Sequence, residues 1–173
     1  MSLSLYDATV PAFIQGLTPV GALVEKARAH CAEKGIDEGA LCSTGLAADM
    51  WPFAKQVICA VQHSALAIEA VFVGQSSPDM SPGPMNFAEL TARVNAGLES
   101  LNAVTPQQLD AVAQSDMIFK IGERAMPFTA TNYLLSFAMP NFYFHAAMAY
   151  AVLRNQGLEI GKRDFLGVPR MKG

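Results

Sequence analysis

Apolar positions along the first thirty-odd residues recur at steps of three and four. Tyr6, Val10, Phe13, Leu17, Val20, Val24 and Ala27 fall on one helical face, and the spacing predicts a helix from about Leu5 to Lys34. Pro11 and Pro19 lie inside it and predict a bend or a late start, and Gly35 supplies a stop. Residues 36 to 50, with Gly39 and Gly45, read as a long connection. A second helix is expected to open around Asp49 to Pro52, with Asp49 as cap, and to continue to about Val73. Gly74 to Pro84 carries Pro78, Pro82 and Pro84 and reads as a loop.

A third helix follows from Asn86 to about Val104, burying Phe87, Leu90, Val94, Leu98 and Leu101. Thr105-Pro106 marks a cap and first-turn proline for a short helix through Val112. The period then shortens. Met117 to Ile121 and Arg124 to Phe128 flank Gly122-Glu123, which suits a two-residue II′ hairpin, with Pro127 confining its strand to an edge. Thr129 or Thr131 can cap a fourth long helix that runs to about Asn155 and ends at Gly157. That helix should be roughly 39 Å long and kinked by Pro140. The expected class is all-α: a four-helix bundle with a small β-hairpin between its third and fourth long helices. Residues 1–173 read as one domain, with 158–173 as a tail packed on it.

The composition of the 173 residues sharpens this picture. Hydrophobic residues make up 51% and charged residues 16%, which excludes a disordered chain. Twelve basic against fifteen acidic residues give a net charge of −3, which argues against a nucleic-acid partner. No Asp, Glu, Lys or Arg occurs from Ala125 to Leu153, a stretch long enough for a bilayer. Asn132, Ser136, Pro140, Asn141 and His145 interrupt it, so a buried bundle helix is preferred and no membrane partner is expected. The opening Met1 to Asp7 has no secretory pattern. With Cys31, Cys42 and Cys59 as sparse, unpaired thiols, a cytoplasmic location is expected, Cys42 being the best placed for reactivity.

Three histidines can be weighed singly. His30 lies off the apolar stripe near the end of the first helix, where an imidazole is electrostatically comfortable. His63 sits in an apolar stretch, with Gln56 seven residues before it and Asp49 seven before that, all toward one side. His145 occupies the most hydrophobic helix, one turn after Asn141. Two buried imidazoles on separate helices need partners. They are either hydrogen-bonded core residues or ligands to a metal, and spacing alone favours the former.

The runs Asp49-Met50-Trp51-Pro52-Phe53, Pro140-Asn141-Phe142-Tyr143-Phe144-His145 and Gly161-Lys162-Arg163-Asp164-Phe165-Leu166-Gly167 resemble the DinB/YfiT-like superfamily of four-helix bundles. Within it, they resemble an uncharacterised bacterial domain-of-unknown-function family. That resemblance implies a metalloenzyme-type site, in which a divalent metal such as zinc or nickel is held by one His of the second helix and a His-x-x-x-His pair on the last. His63 matches the first position and His145 the second, while the third is Ala149. Asp49, Glu69 and Asp7 are candidate oxygen ligands to complete such a site.

Three readings follow from these residues. One is a degenerate metal site at His63 and His145 performing small-molecule chemistry. The second is a metal-free pocket lined by His63, His145, Asn141, Gln56 and Asp49, with Tyr143 or Tyr150 as donors, for an uncharged or anionic ligand. The third is a structural bundle with hydrogen-bonded core histidines. A homodimer is expected, because so weakly charged a chain offers apolar surface.

Overall fold

The computed structural model describes residues 3–81, 83–84 and 86–172. Readings that touch Met1, Ser2, Pro82, Met85 and Gly173 lie outside the described residues. The first helix, α1 (Leu5–Lys34), runs continuously through both of its prolines. Ser4 caps its start by accepting from the Asp7 N–H, and Gly35 closes its end in the left-handed region at φ 66°. The expected connection contains a short helix, α2 (Glu38–Cys42), capped by Asp37. Cys42 therefore sits buried in a regular element, and burial, followed by nearby Glu38, pushes its thiol up to about 11. An unreactive thiol is the outcome there.

The second long helix is two helices. α3 (Phe53–Gln62) and α4 (Ala65–Val73) meet at a 40° bend. His63 closes α3, and the Ser64 hydroxyl donates back to the carbonyl of Ala60 at 2.7 Å, filling the bond that the broken ladder vacates. Asp49 is not the cap. Pro52 precedes α3 in extended geometry without a side-chain bond, and the Phe53 N–H goes to the Thr44 carbonyl at 2.8 Å. A proline restricts the residue before it to extended conformations, so the helix cannot begin earlier than this point.

α5 (Phe87–Ala103) is capped by Asn86 and buries Phe87, Leu90, Val94 and Leu101 as expected. α6 (Pro106–Ala111) begins with a full capping box between Thr105 and Gln108. The hairpin forms from β2 (Asp116–Ile121) and β3 (Arg124–Thr129), with Ile121 opposite Arg124. Gly122 has φ 55° and Glu123 a negative φ, as a II′ turn requires. The sheet has a third strand, β1 (Gln75–Ser76), parallel to β2, in what the sequence reads as loop. The hairpin thus leans on the end of α4 rather than standing alone.

After β3, Thr129 caps a single turn, α7 (Ala130–Asn132), which leads through a π-helical segment (Tyr133–Ala138) into α8 (Met139–Asn155). Pro140 has no N–H to offer the preceding turn, and the chain takes up that defect as a widened helix. Asn141 donates its amide to the Phe137 carbonyl at 2.7 Å and secures the widened turn. The last helix, α9 (Lys162–Leu166), folds back on α1: Lys26 pairs with Asp164 at 2.5 Å, and Gln15 donates to the Leu166 carbonyl at 3.4 Å. α1, α3–α4, α5 and α8 enclose one apolar core that includes Phe13, Phe53, Phe87, Phe142 and Leu17. Among the described residues no single helix is long and apolar enough to cross a membrane. The bent pair α3–α4 meets the length and composition requirement, but every residue of α3 is buried in the bundle.

Candidate functional site

α3 packs along α8, and their facing sides bring Gln56 and His145 together. His145 Nδ1 lies 2.7 Å from Gln56 Oε1, and Gln56 Nε2 donates to the Trp51 carbonyl at 2.9 Å. A carbonyl only accepts, so the amide nitrogen must face Trp51 and the amide oxygen must face the imidazole. That assigns the hydrogen to His145 Nδ1 and leaves Nε2 as a bare acceptor.

Three rings form a column above this bond. Trp51 and His145 are 12° from parallel with centroids 5.8 Å apart, and His145 and His63 are 7° from parallel at 5.6 Å. Phe137 closes the far side edge-on to His63 at 5.7 Å, and Phe144 stands edge-on to His145 at 5.1 Å. At the near end the Lys55 ammonium lies 5.6 Å from the Trp51 ring centre. Lys55 is itself buried and donates to the carbonyls of Asp79 at 2.5 Å and Ser81 at 2.7 Å, tying the segment after β1 to α3.

Both imidazoles are neutral at pH 7. Burial pushes His63 down to about 4, helped by His145, and burial pushes His145 down to about 4, helped by the Lys55 charge. His63 is 8% exposed, and its Nδ1 is buried without a hydrogen-bond partner among the described residues. An unpaired lone pair costs less to bury than an unpaired N–H, which places the His63 hydrogen on Nε2.

A cleft of about 380 Å³ opens beside the column, lined by Asp49, Met50, Trp51, Gln56, Asn141, Phe144 and His145. Four residues expected at the site therefore do converge: Gln56, Asn141, Asp49 and His145. His63 lies behind His145 in the column rather than on the cleft wall. Tyr143 does not join them. It lines a separate cavity of about 120 Å³ with Gly16, Phe165 and Leu166, because a residue two positions from His145 is turned about 200° away around the helix. Tyr150 packs on Phe165 in the same region. Glu69 accepts from the Ser100 hydroxyl of α5, and Asp7 belongs to the first turn of α1. Sequence reasoning misses Trp51, Lys55 and Phe144 as site residues. For Trp51 and Phe144 the available signal is a large aromatic next to a polar position of the site.

A model of a family described as a domain of unknown function, DUF1993, matches residues 5–166. The chain belongs to that family. This DUF1993 chain is also similar to a crystal structure described as a DinB family member protein from Shewanella denitrificans. The TM-score is 0.80 and the identity 28%, over 98% of this chain and 95% of that one. The fold is accordingly DinB-like. No curated protein matches the chain.

A DinB-like fold raises the question of whether the donor set of this DUF1993 chain suits a resident metal. Catalytic zinc takes three protein ligands and structural zinc four. Here two imidazoles are near each other, the third position is the buried Ala149, and no group of three His, Cys, Asp or Glu side chains able to hold an ion occurs among the described residues. Ring-nitrogen lone pairs lie in the ring plane, so two rings 7° from parallel share an ion only if their planes coincide or one ring turns. The residues present do not fit a metal held by three side chains.

Proposed function

We propose that the chain binds a small molecule in the cleft between residues 49–51, α3 and α8, with the neutral His145 Nε2 as its central acceptor. One observation carries this reading: Gln56 fixes the His145 ring at 2.7 Å, on the cleft wall, with its second nitrogen left without a hydrogen-bond partner among the described residues. Binding sites combine apolar walls with a few oriented polar groups, and this cleft has Trp51, Phe144 and Met50 around Asp49, Asn141 and His145. Gln56 is the positioning residue, since both ends of its amide are engaged in holding the ring and the Trp51 backbone.

This reading does not require a reaction. A neutral imidazole with a lone pair can also accept a proton from a bound ligand, with the Asp49 carboxylate on the same wall.

The chain's one tryptophan, Trp51, reports on the site directly. Ligand-observed NMR screening of charged and neutral small molecules, followed by Trp51 fluorescence titration, tests the proposal. Hits are expected to shift Trp51 emission and to lose affinity in His145→Ala and Asn141→Ala variants that keep their wild-type circular dichroism. Hits indifferent to both substitutions would overturn it.

A further inference from the structure

Resting on the reading of the cleft as a ligand site, we infer that its ligand class is a protonated amine, ammonium group inward, rather than an anion. The donors and acceptors on the wall can be counted. Asp49 is exposed and makes no hydrogen bond or ion pair among the described residues, so its carboxylate is available. Asn141 spends one amide hydrogen on the Phe137 carbonyl, and its Oδ1 has no hydrogen bond among the described residues. His145 spends Nδ1–H on Gln56, which leaves the Nε2 lone pair. Gln56 is spent at both ends.

Against these three acceptors stand two side-chain donors, the Trp51 indole N–H and the second hydrogen of the Asn141 amide. Among the described residues no Lys or Arg lines the cleft. The nearest ammonium, Lys55, has two of its hydrogens on the Asp79 and Ser81 carbonyls and lines the neighbouring cavity, with Cys42 and Met80. An alkylammonium carries three N–H donors and a positive charge, which matches three acceptors and one unpaired carboxylate. The exposed face of Phe144 adds a surface that attracts cations and covers an apolar substituent. An anion entering the same space would meet Asp49 and two lone pairs. An anion, one of the two ligand classes expected from the sequence, needs a protonated histidine, whereas the Gln56 contact leaves the neutral His145 ring with Nε2 unprotonated.

Three probes of one shape separate the possibilities: phenethylamine, its neutral counterpart 2-phenylethanol, and the anion phenylacetate. Each is titrated into the full chain at pH 7.5 while Trp51 emission and the His145 ring signals in heteronuclear NMR are followed. Phenethylamine is expected to bind tightest, to move both signals, and to weaken about tenfold in Asp49→Asn, with Asp49→Glu restoring part of the loss. Asp49 is a surface residue outside the core, so neither variant threatens folding. Preference for phenylacetate or 2-phenylethanol, or phenethylamine binding untouched by Asp49→Asn, would overturn the amine class and leave the cleft standing as a site. Failure of all three probes would overturn the amine class as well. The cleft itself falls only with the broader screen above.

Discussion

His145 of α8 gives its Nδ1 hydrogen to Gln56 of α3 across 2.7 Å, and the same amide holds the Trp51 backbone at 2.9 Å. One glutamine thereby ties a helix, its neighbour and the chain entering the cleft. Gln56→Leu leaves a buried N–H and a carbonyl unpaired, and should destabilise the protein by about 2 kcal/mol in urea melts. It should also shift Trp51 emission, because the backbone that carries the indole is released. Gln56→Glu keeps an acceptor for the imidazole but adds negative charge, so His145 should then titrate at higher pH by NMR. A Gln56→Leu variant with wild-type stability and emission would refute this role.

Lys55 acts on the same ring through its charge. Its charge is the second cause, after burial, of the low His145 pKa of about 4. Lys55→Met should raise that pKa, though not to the ordinary 6.5, since burial remains. The carbonyls of Asp79 and Ser81 lose their donor at the same time, at a cost of about 2 kcal/mol, and amide exchange should accelerate around residues 77–81. An unchanged His145 titration would show that the ammonium does not reach the ring electrostatically.

The long helices were legible because their determinants are local. Periodic apolar residues, Ser4 and Gly35 at the ends of α1, the Thr105–Gln108 box and the Gly122 turn all act within a few residues. The break at His63-Ser64 was not, since no Gly or Pro marks it and a serine that bonds backward looks like any helical serine. β1 is two residues long and exists only through its partner Ile118-Phe119, so its own sequence carries no strand signal. The four-residue step from Asn141 to His145 puts both on one cleft wall, whereas Tyr143, two positions from His145, lines another cavity. Pairing of His145 with Gln56 was beyond periodicity, because it depends on how α3 and α8 are rotated against each other.

Acid should unfold the protein through its imidazoles. Each folded pKa of about 4 lies below the ordinary 6.5 that the unfolded chain regains. Between these values the unfolded state binds more protons, so stability is complete above about pH 6.5 and falls as the pH drops toward 4. The loss is on the order of 3 kcal/mol per ring, a large share of a typical domain's stability. Urea midpoints measured from pH 7.5 to 4.5 should decline across that window. His145→Gln, which keeps a donor for Gln56, should flatten the decline; a wild-type curve already flat from 7 to 5 would contradict buried neutral rings.

Metal removal discriminates between this site and a three-ligand centre. Two imidazoles with Ala149 in the third place offer a divalent ion half of a tetrahedron, and each remaining position would have to be filled by water or ligand. Exhaustive dialysis against EDTA should therefore leave the melting temperature and ligand-induced Trp51 response unchanged. Elemental analysis should find zinc and nickel well below one equivalent, and His63→Ala should not alter that figure. Stoichiometric metal that resists the chelator and disappears in His63→Ala would instead mean that the two rings turn out of their stack to meet an ion. The cleft would then have to be reread as that ion's open face.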